Sequence, residues 1–290
     1  RHHMDRILIF LLDSSNAMLV LMLVSLGLAV IFGLMNVINM AHGEFLVMGA
    51  YGVLTLQSLG LPFWLCLALA PLIVAVIGLL AEELLIRRTY ERLLDTILAT
   101  WGLSLFLRQG LVLLYGPGSH AVSAPALGSV MLAGQAYPVY RLVVMLVSAA
   151  AIVATFYVFF RTDWGLKARA VIANRNMAAC LGINTRALDR LTFAWGAGLA
   201  GLAGAVMSPL ISIDPNAGLG WLVPGFLSIL VAGLGSISGP LAGAAGVSAV
   251  DSLASALSSP VWAQLTVFVA AILVIRFFPQ GLLAFKRREA

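Results

Sequence analysis

An all-α membrane protein, a polytopic transmembrane helical bundle, is the fold class this sequence predicts, on three observations. Hydrophobic residues make up 61% of the chain and charged ones 10%, against roughly 45–50% and 25% in globular domains. Apolar runs of spanning length recur, and they are continuous and not alternating, which argues against a β-barrel. The charges gather in a few loops, and basic loops alternate with bland ones. The net charge of +5 is therefore read as a topology signal and not as affinity for nucleic acid.

Arg1, His2 and His3 ahead of Met4 read as the end of an expression tag, leaving 4–290 as a single transmembrane domain. Apolar runs fall at 18–34, 44–57, 62–81, 96–114, 139–160, 191–213, 222–234, 241–257 and 262–278. Asp5 and Asp13 precede the first run without an A-x-A-like cleavage site, so it reads as a helix and not a signal peptide. The runs at 44–57 and 222–234 fall short of the roughly 20 residues of a span. They suit broken or re-entrant elements, whose backbone must be satisfied by protein or a water-filled cavity. About eight spans are expected.

Arg87, Arg88 and Arg92, then Arg161, Lys167, Arg169, Arg175, Arg186 and Arg190, then Arg276, Lys286, Arg287 and Arg288 mark the basic segments. The loop at 115–137 carries no full charge, and 212–220 carries only Asp214. The basic segments are expected to face the cytoplasm, with the C-terminus among them and the N-terminus outside. Small residues crowd 195–205 and 232–246, with Ala197/Gly201 and Gly239/Gly243 spaced for close helix approach, within the chain or between chains. Pro209, Pro215, Pro224 and the pair Gly239–Pro240 read as helix breaks. Cys66 lies in an apolar run and Cys180 in a polar loop, so no disulfide between them is expected.

The stretch NVINMAHGEFLVMGAY at 36–51 places Asn36, Asn39, His42 and Glu44 directly after a long apolar run. Ionisable groups beside a spanning helix are costly and mark functional positions. A continuous helix would gather these four with Gly43 on one face and Leu34, Val37, Ile38, Ala41 and Phe45 on the other. His42 and Glu44 then line a hydrated path or hold a helix broken at Gly43. Alternatively, Glu44 is a first-turn carboxylate favoured by the helix dipole and His42 a satisfied interior group. Asn36 and Asn39 suit either a neutral amide-like solute or interhelical hydrogen bonds.

Arg108 sits inside the run at 96–114, where an unpartnered arginine costs at least about 2.5–3.5 kcal/mol. Glu44 and Asp251 are its candidate partners. Trp101 joins the path candidates, with packing as its plainer role. A zwitterionic solute calls for a cation and an anion, which Arg108 and Glu44 can offer.

The longest basic loop, at 161–190, reads as a short surface helix. Asp163 is its expected N-cap, Gly182 its C′ residue, and Asn184 or Thr185 the cap of the next span. Ala178–Ala179 with Met177 form a small-residue patch for a partner's groove, or the helix rests on anionic lipid.

This loop resembles the coupling loop of ATP-binding-cassette importer permeases. From about Met18 onward, the chain is similar to the hydrophobic-amino-acid and urea/amide branch of that family. The segments that carry the likeness are GLMNVINMAHGEFLVMGAY, LLDTILATWGLSL, NRNMAACLGINTRALDRLTFAWGAGLAGLAGAV and GLGSISGPLAGA. LDTILATWGLSL and NRNMAACLGI resemble the urea and short-chain-amide permeases more, GLGSISGP the branched-chain amino acid ones.

The resemblance implies a permease subunit of a binding-protein-dependent importer for urea or short amides, with branched-chain amino acids as the alternative. It implies a heterodimer with a second permease, two ATPase subunits, and a solute-binding protein outside a bacterial inner membrane. Lys167, Arg169, Asn174, Met177, Ala178, Ala179, Gly182 and Ile183 are the positions at which the ATPases would dock. Met177 stands where the general importer pattern has a glutamate. No G-x-x-x-x-G-K-[ST] motif occurs, so ATP and magnesium would belong to the partner subunits. A passive urea or amide channel would need no docking helix. An intramembrane enzyme using His42 and Glu44 would need a nucleophile or metal set that the spacing does not provide.

Overall fold

The computed structural model describes residues 2–90, 92–132, 134–233 and 238–281. Lys286, Arg287 and Arg288, and the LGSI part of GLGSISGP, lie outside the described residues. Among the described residues the helices are α1 (His2–Met35), α2 (His42–Ser58), α3 (Phe63–Leu84), α4 (Leu93–Tyr115), α5 (Val139–Arg161), α6 (Asp163–Ala173), α7 (Arg175–Cys180), α8 (Thr185–Met207), α9 (Gly218–Ala232), α10 (Gly239–Leu257) and α11 (Pro260–Phe277). A 3-10 turn at Ile86–Arg88 follows α3.

The chain is an all-α multi-span membrane protein. Six of its helices are long and apolar enough to cross a bilayer, where about eight were expected: Arg6–Met35, Phe63–Arg88, Leu93–Tyr115, Val139–Arg161, Thr185–Met207 and Gly239–Leu257. Three of the nine apolar runs form the shorter helices α2, α9 and α11. The loop read as bland also holds a hairpin, β1 (Ser129–Leu132) with β2 (Gln135–Pro138), paired Val130 to Tyr137. Earlier in the same loop, His120 exchanges two main-chain hydrogen bonds with Ile213, at 2.8 and 2.9 Å, so the two bland loops pair.

α8 is the hub of the bundle. Most of its residues from Leu188 to Val206 are buried, and it packs against α1, α2 and α3. Its glycines allow this. A β-carbon at Gly196 would lie 2.8 Å from the Gly27 carbonyl oxygen, one at Gly201 2.7 Å from Val74, and one at Gly204 1.8 Å from the Leu46 carbonyl oxygen. Lipid supplies no hydrophobic drive for helix association, so such close backbone approach carries the packing. The small residues thus serve contacts inside the chain. The Phe45 and Phe193 rings add an edge-to-face contact at 6.0 Å.

Three of the four proline signals fall at breaks. Pro209 and Pro215 lie in turns between α8 and α9, and Pro240 lies in the first turn of α10. Pro224 is the correction, because α9 runs straight through it. A proline inside a helix removes the N–H that would meet the carbonyl four residues earlier, here that of Gly220, and such a loss is tolerated inside spans.

Candidate functional site

The expected continuous helix across 36–51 does not form. α1 stops at Met35, and Asn36 takes a left-handed conformation with φ +53°, which asparagine tolerates better than most residues. The chain then runs without helix to Ala41, so the break precedes Gly43. Side chains meet part of its freed backbone, as membrane depth demands. The Thr100 hydroxyl accepts from Met40 N–H and lies 3.2 Å from the Ile38 carbonyl. The Asn39 side chain accepts from Ala41 N–H at 3.0 Å. This segment explains the short α2, because non-helical chain covers part of the depth before the helix begins at His42.

α9 mirrors that arrangement. Its first residue, Gly218, lies against Gly43 backbone to backbone, and its far end, at Ile229 and Gly233, reaches the basic end of the bundle. Two shortened helices therefore meet N-terminus to N-terminus, and the partial positive charge of both ends converges there.

Glu44 stands in the first turn of α2, 1% exposed, and accepts from Arg108 Nη2 of α4 at 2.6 Å. The arginine's partner is thus Glu44 and not Asp251, which is exposed. The His42 ring is fully buried and donates from Nε2 to the Val24 carbonyl at 3.1 Å. Among the described residues, Asn39 Nδ2, His42 Nδ1, Glu44 Oε2 and Arg108 Nε are buried without a hydrogen-bond partner.

α4 turns an almost wholly polar seam to this break. Its buried residues are Thr96, Thr100, Ser104 and Leu111, and Arg108 continues the row. Its large apolar residues, Leu98, Leu105 and Phe106 among them, face outward. Trp101 lies with those, 55% exposed, and is not part of the seam. Asn36 stands apart from Asn39, His42 and Glu44. It is exposed at the lip of a cavity of about 1210 Å³ at the basic end, lined also by Tyr90, Arg169, Asn174, Arg175 and Asp189.

The loop at 162–184 forms two helices where one was expected. Thr162, not Asp163, caps α6 by accepting from Gly165 N–H at 3.2 Å. Asp163 falls in the first turn, where its charge still favours the helix. Asn174 ends α6 and caps α7, accepting from Met177 N–H at 3.0 Å. Gly182, with φ +85°, closes α7. Its N–H bonds Ala179 and that of Ile183 bonds Ala178, the paired hydrogen bonds of a Schellman ending. Asn184 caps α8. Ala178 faces inward while Met177 and Ala179 face out. Lys167 is exposed, Ile183 half-buried, and the Arg169 guanidinium lies 5.3 Å from the Phe160 ring centre.

The model of the family described as "Branched-chain amino acid transport system / permease component" matches residues 10–276. The chain belongs to that permease family. The high-affinity branched-chain amino acid transport system permease protein LivH of Salmonella typhimurium is 29% identical over 280 residues, covering 90% of both chains. BraD of Pseudomonas aeruginosa, a permease protein of a system described in the same words, is 26% identical over 281 residues, again 90% of each. The fold is shared with PsaBC from Streptococcus pneumoniae in complex with Fab, at TM-score 0.52 and 15% identity over 97% of this permease and 95% of that chain.

The family corrects the expected substrate. LDTILATWGLSL and NRNMAACLGI pointed to urea and short amides, yet the family model and the matched relatives are of the branched-chain amino acid kind. Short matched segments of this kind are outweighed by a likeness that runs over 90% of the chain. As a permease component the chain is a transport subunit and not an enzyme.

Sequence reasoning also missed Thr96, Thr100 and Ser104, although their spacing of four ahead of Arg108 was visible. It missed Asp189, 1% exposed, which pairs with Arg175 through both guanidinium nitrogens, Nη1 at 3.1 Å from Oδ1. That hydrogen-bonded carboxylate raises the Arg175 pKa above its ordinary value. Nearby, the Tyr90 hydroxyl donates to Glu82, and burial together with that carboxylate pushes the phenol upward.

Proposed function

We propose that this permease is a membrane-spanning subunit of an ATP-driven, binding-protein-dependent importer of branched-chain amino acids in the bacterial cytoplasmic membrane. The substrate class is that of the relatives it matches. The observation that carries the reading is the polar seam of α4, Thr96 through Arg108, set against the non-helical segment 36–41 and the start of α2. Irregular backbone at membrane depth belongs where it is buried in protein or lines a water-filled path. Discontinuous helices are a recurring way to build a transport site.

The basic end is the cytoplasmic one, with the C-terminus there and the N-terminus outside. α2, α9 and α11 supply the passes beyond the six long spans. Asn36 marks the inner mouth of the path, and Asn39, His42, Glu44 and Arg108 its middle. α6 and α7 form the surface that two ATPase subunits grip, using Lys167, Arg169 and the exposed Met177 and Ala179. A companion permease completes the membrane part, and a solute-binding protein delivers from outside. ATP-driven approach of the ATPases shifts α7, and α8, tied to it through Arg175–Asp189, carries the shift to α2.

Uptake of labelled leucine by the complete importer in proteoliposomes tests this. It should require both ATP and loaded binding protein. Undiminished uptake by the purified chain alone would sink the proposal.

A further inference from the structure

The buried pair of Glu44 and Arg108 carries an unsatisfied polar atom on each member. Resting on the functional reading above, we propose that Glu44 and Arg108 are an exchange subsite for the two charged ends of an amino-acid zwitterion. The substrate ammonium replaces Arg108 at the Glu44 carboxylate, and the substrate carboxylate replaces Glu44 at the Arg108 guanidinium.

Two independent observations carry this. The first is incomplete pairing. Glu44 and Arg108 share one contact, at 2.6 Å, while Glu44 Oε2 and Arg108 Nε are buried without a partner among the described residues. A purely structural arginine–carboxylate pair gains most from a two-pronged arrangement, and this pair forgoes it. Buried polar atoms left this way are costly, and one on each member of the same ion pair points to a ligand that completes both.

The second is the junction of α2 and α9 at Gly43 and Gly218. Both helix N-termini end beside Glu44, and shortened helices so arranged present their positive ends to anionic substrate groups. The substrate carboxylate thus meets Arg108 and two helix ends, while the ammonium meets the one anion in the first turn of α2. A solute with a single charge satisfies only one half and leaves the other member of the pair buried alone. The site therefore selects for both charges at once.

α4 is placed to allow the exchange. It is the least enclosed of the six long helices, and it meets the break through hydroxyls and Arg108, not through interlocking apolar side chains.

The test uses the complete importer with its partner subunits. E44Q together with R108Q removes both charges and strands neither, a change that is often neutral for stability. The double variant is expected to assemble with the ATPase subunits and unfold at or above the parent's midpoint, with leucine uptake at least about tenfold lower. Assembly with leucine uptake at the parent's rate would overturn the subsite. A second measurement needs no variant. On the purified permease and ATPase complex without binding protein, leucine should raise the unfolding midpoint by mass action. Leucinol and 4-methylpentanoate each carry one of the two charges, and should need at least about tenfold higher concentration for the same rise. Equal effects from all three, or none from leucine at about 50 mM, would also overturn it. An unaltered importer that takes up no leucine defeats the functional reading beneath; one that does, with these negatives, defeats the subsite alone.

Discussion

Gly43 and Gly218 meet without side chains between them. A β-carbon at Gly43 would stand 2.4 Å from the Gly218 carbonyl oxygen, and one at Gly218 would stand 2.7 Å from that of Gly43. Backbone is the obstacle on both sides, so neither position can yield by turning a side chain. The junction fixes where α2 begins, and with it the height of Glu44.

Gly43→Ala should therefore destabilise the chain by about 1–3 kcal/mol, the cost of overpacking a close contact, and lower leucine uptake with it. Gly102→Ala is the matched control. Gly102 sits inside α4 with nothing within 4 Å of its would-be β-carbon, and alanine there should stabilise by up to about 1 kcal/mol. Thermal unfolding in detergent reads both. A Gly43→Ala midpoint equal to that of Gly102→Ala would remove the junction from the account.

Thr100 holds the break open. Its hydroxyl accepts from Met40 N–H and donates among the Ile38, Thr96 and Ile97 carbonyls. Thr100→Val keeps the shape and strands the Met40 N–H, which should cost about 1–3 kcal/mol, while Thr100→Ser should stay close to the parent. Similar unfolding midpoints for Val and Ser variants would contradict the role given to this hydroxyl.

How much of this was legible beforehand follows from the kind of force involved. The spans came from hydrophobic runs, a signal the bilayer imposes on every residue of a segment. Gly182, Asn184 and the double use of Asn174 belong to local capping rules that act within four residues. The Arg108–Glu44 partnership joins residues 64 apart, and only packing chooses Glu44 over Asp251. The break at Asn36 was hidden for a related reason. VIN at 37–39 carries no proline or glycine, and the hydroxyl that meets its Ile38 carbonyl comes from Thr100, on another helix. The α4 seam was readable, since Thr96, Thr100, Ser104 and Arg108 recur every four residues, but Arg108 drew the attention.

Arg175 and Asp189 join α7 to α8. Asp189→Asn should weaken a charged hydrogen-bonded pair that is half open to solvent on the arginine side, a loss of about 1–2 kcal/mol. The expected phenotype is loosened coupling: more ATP hydrolysed per leucine carried, with binding to the ATPases retained. The ratio of phosphate released to leucine accumulated measures it, and an unchanged ratio would show that the link transmits nothing.

Gly182→Ala places a β-carbon at φ +85° and should cost about 1 kcal/mol, fraying α7 and weakening co-purification of the ATPase subunits. Gly182→Asn, the residue that best tolerates this conformation after glycine, should recover most of that loss. Equal retention of the ATPases by all three proteins would argue that α7 is not their docking element.

The central claim is that solute passes between the polar seam of α4 and the break at 36–44. Single cysteines at Thr96, Thr100 and Ser104, and at Leu98 and Leu105 on the opposite face, test it most directly, after the free Cys66 and Cys180 are replaced. Under ATP turnover, a membrane-impermeant thiol reagent should label the seam positions, leucine-loaded binding protein should slow that labelling, and the outward positions should stay inert. Labelling confined to Leu98 and Leu105, with the seam silent, would place the path elsewhere.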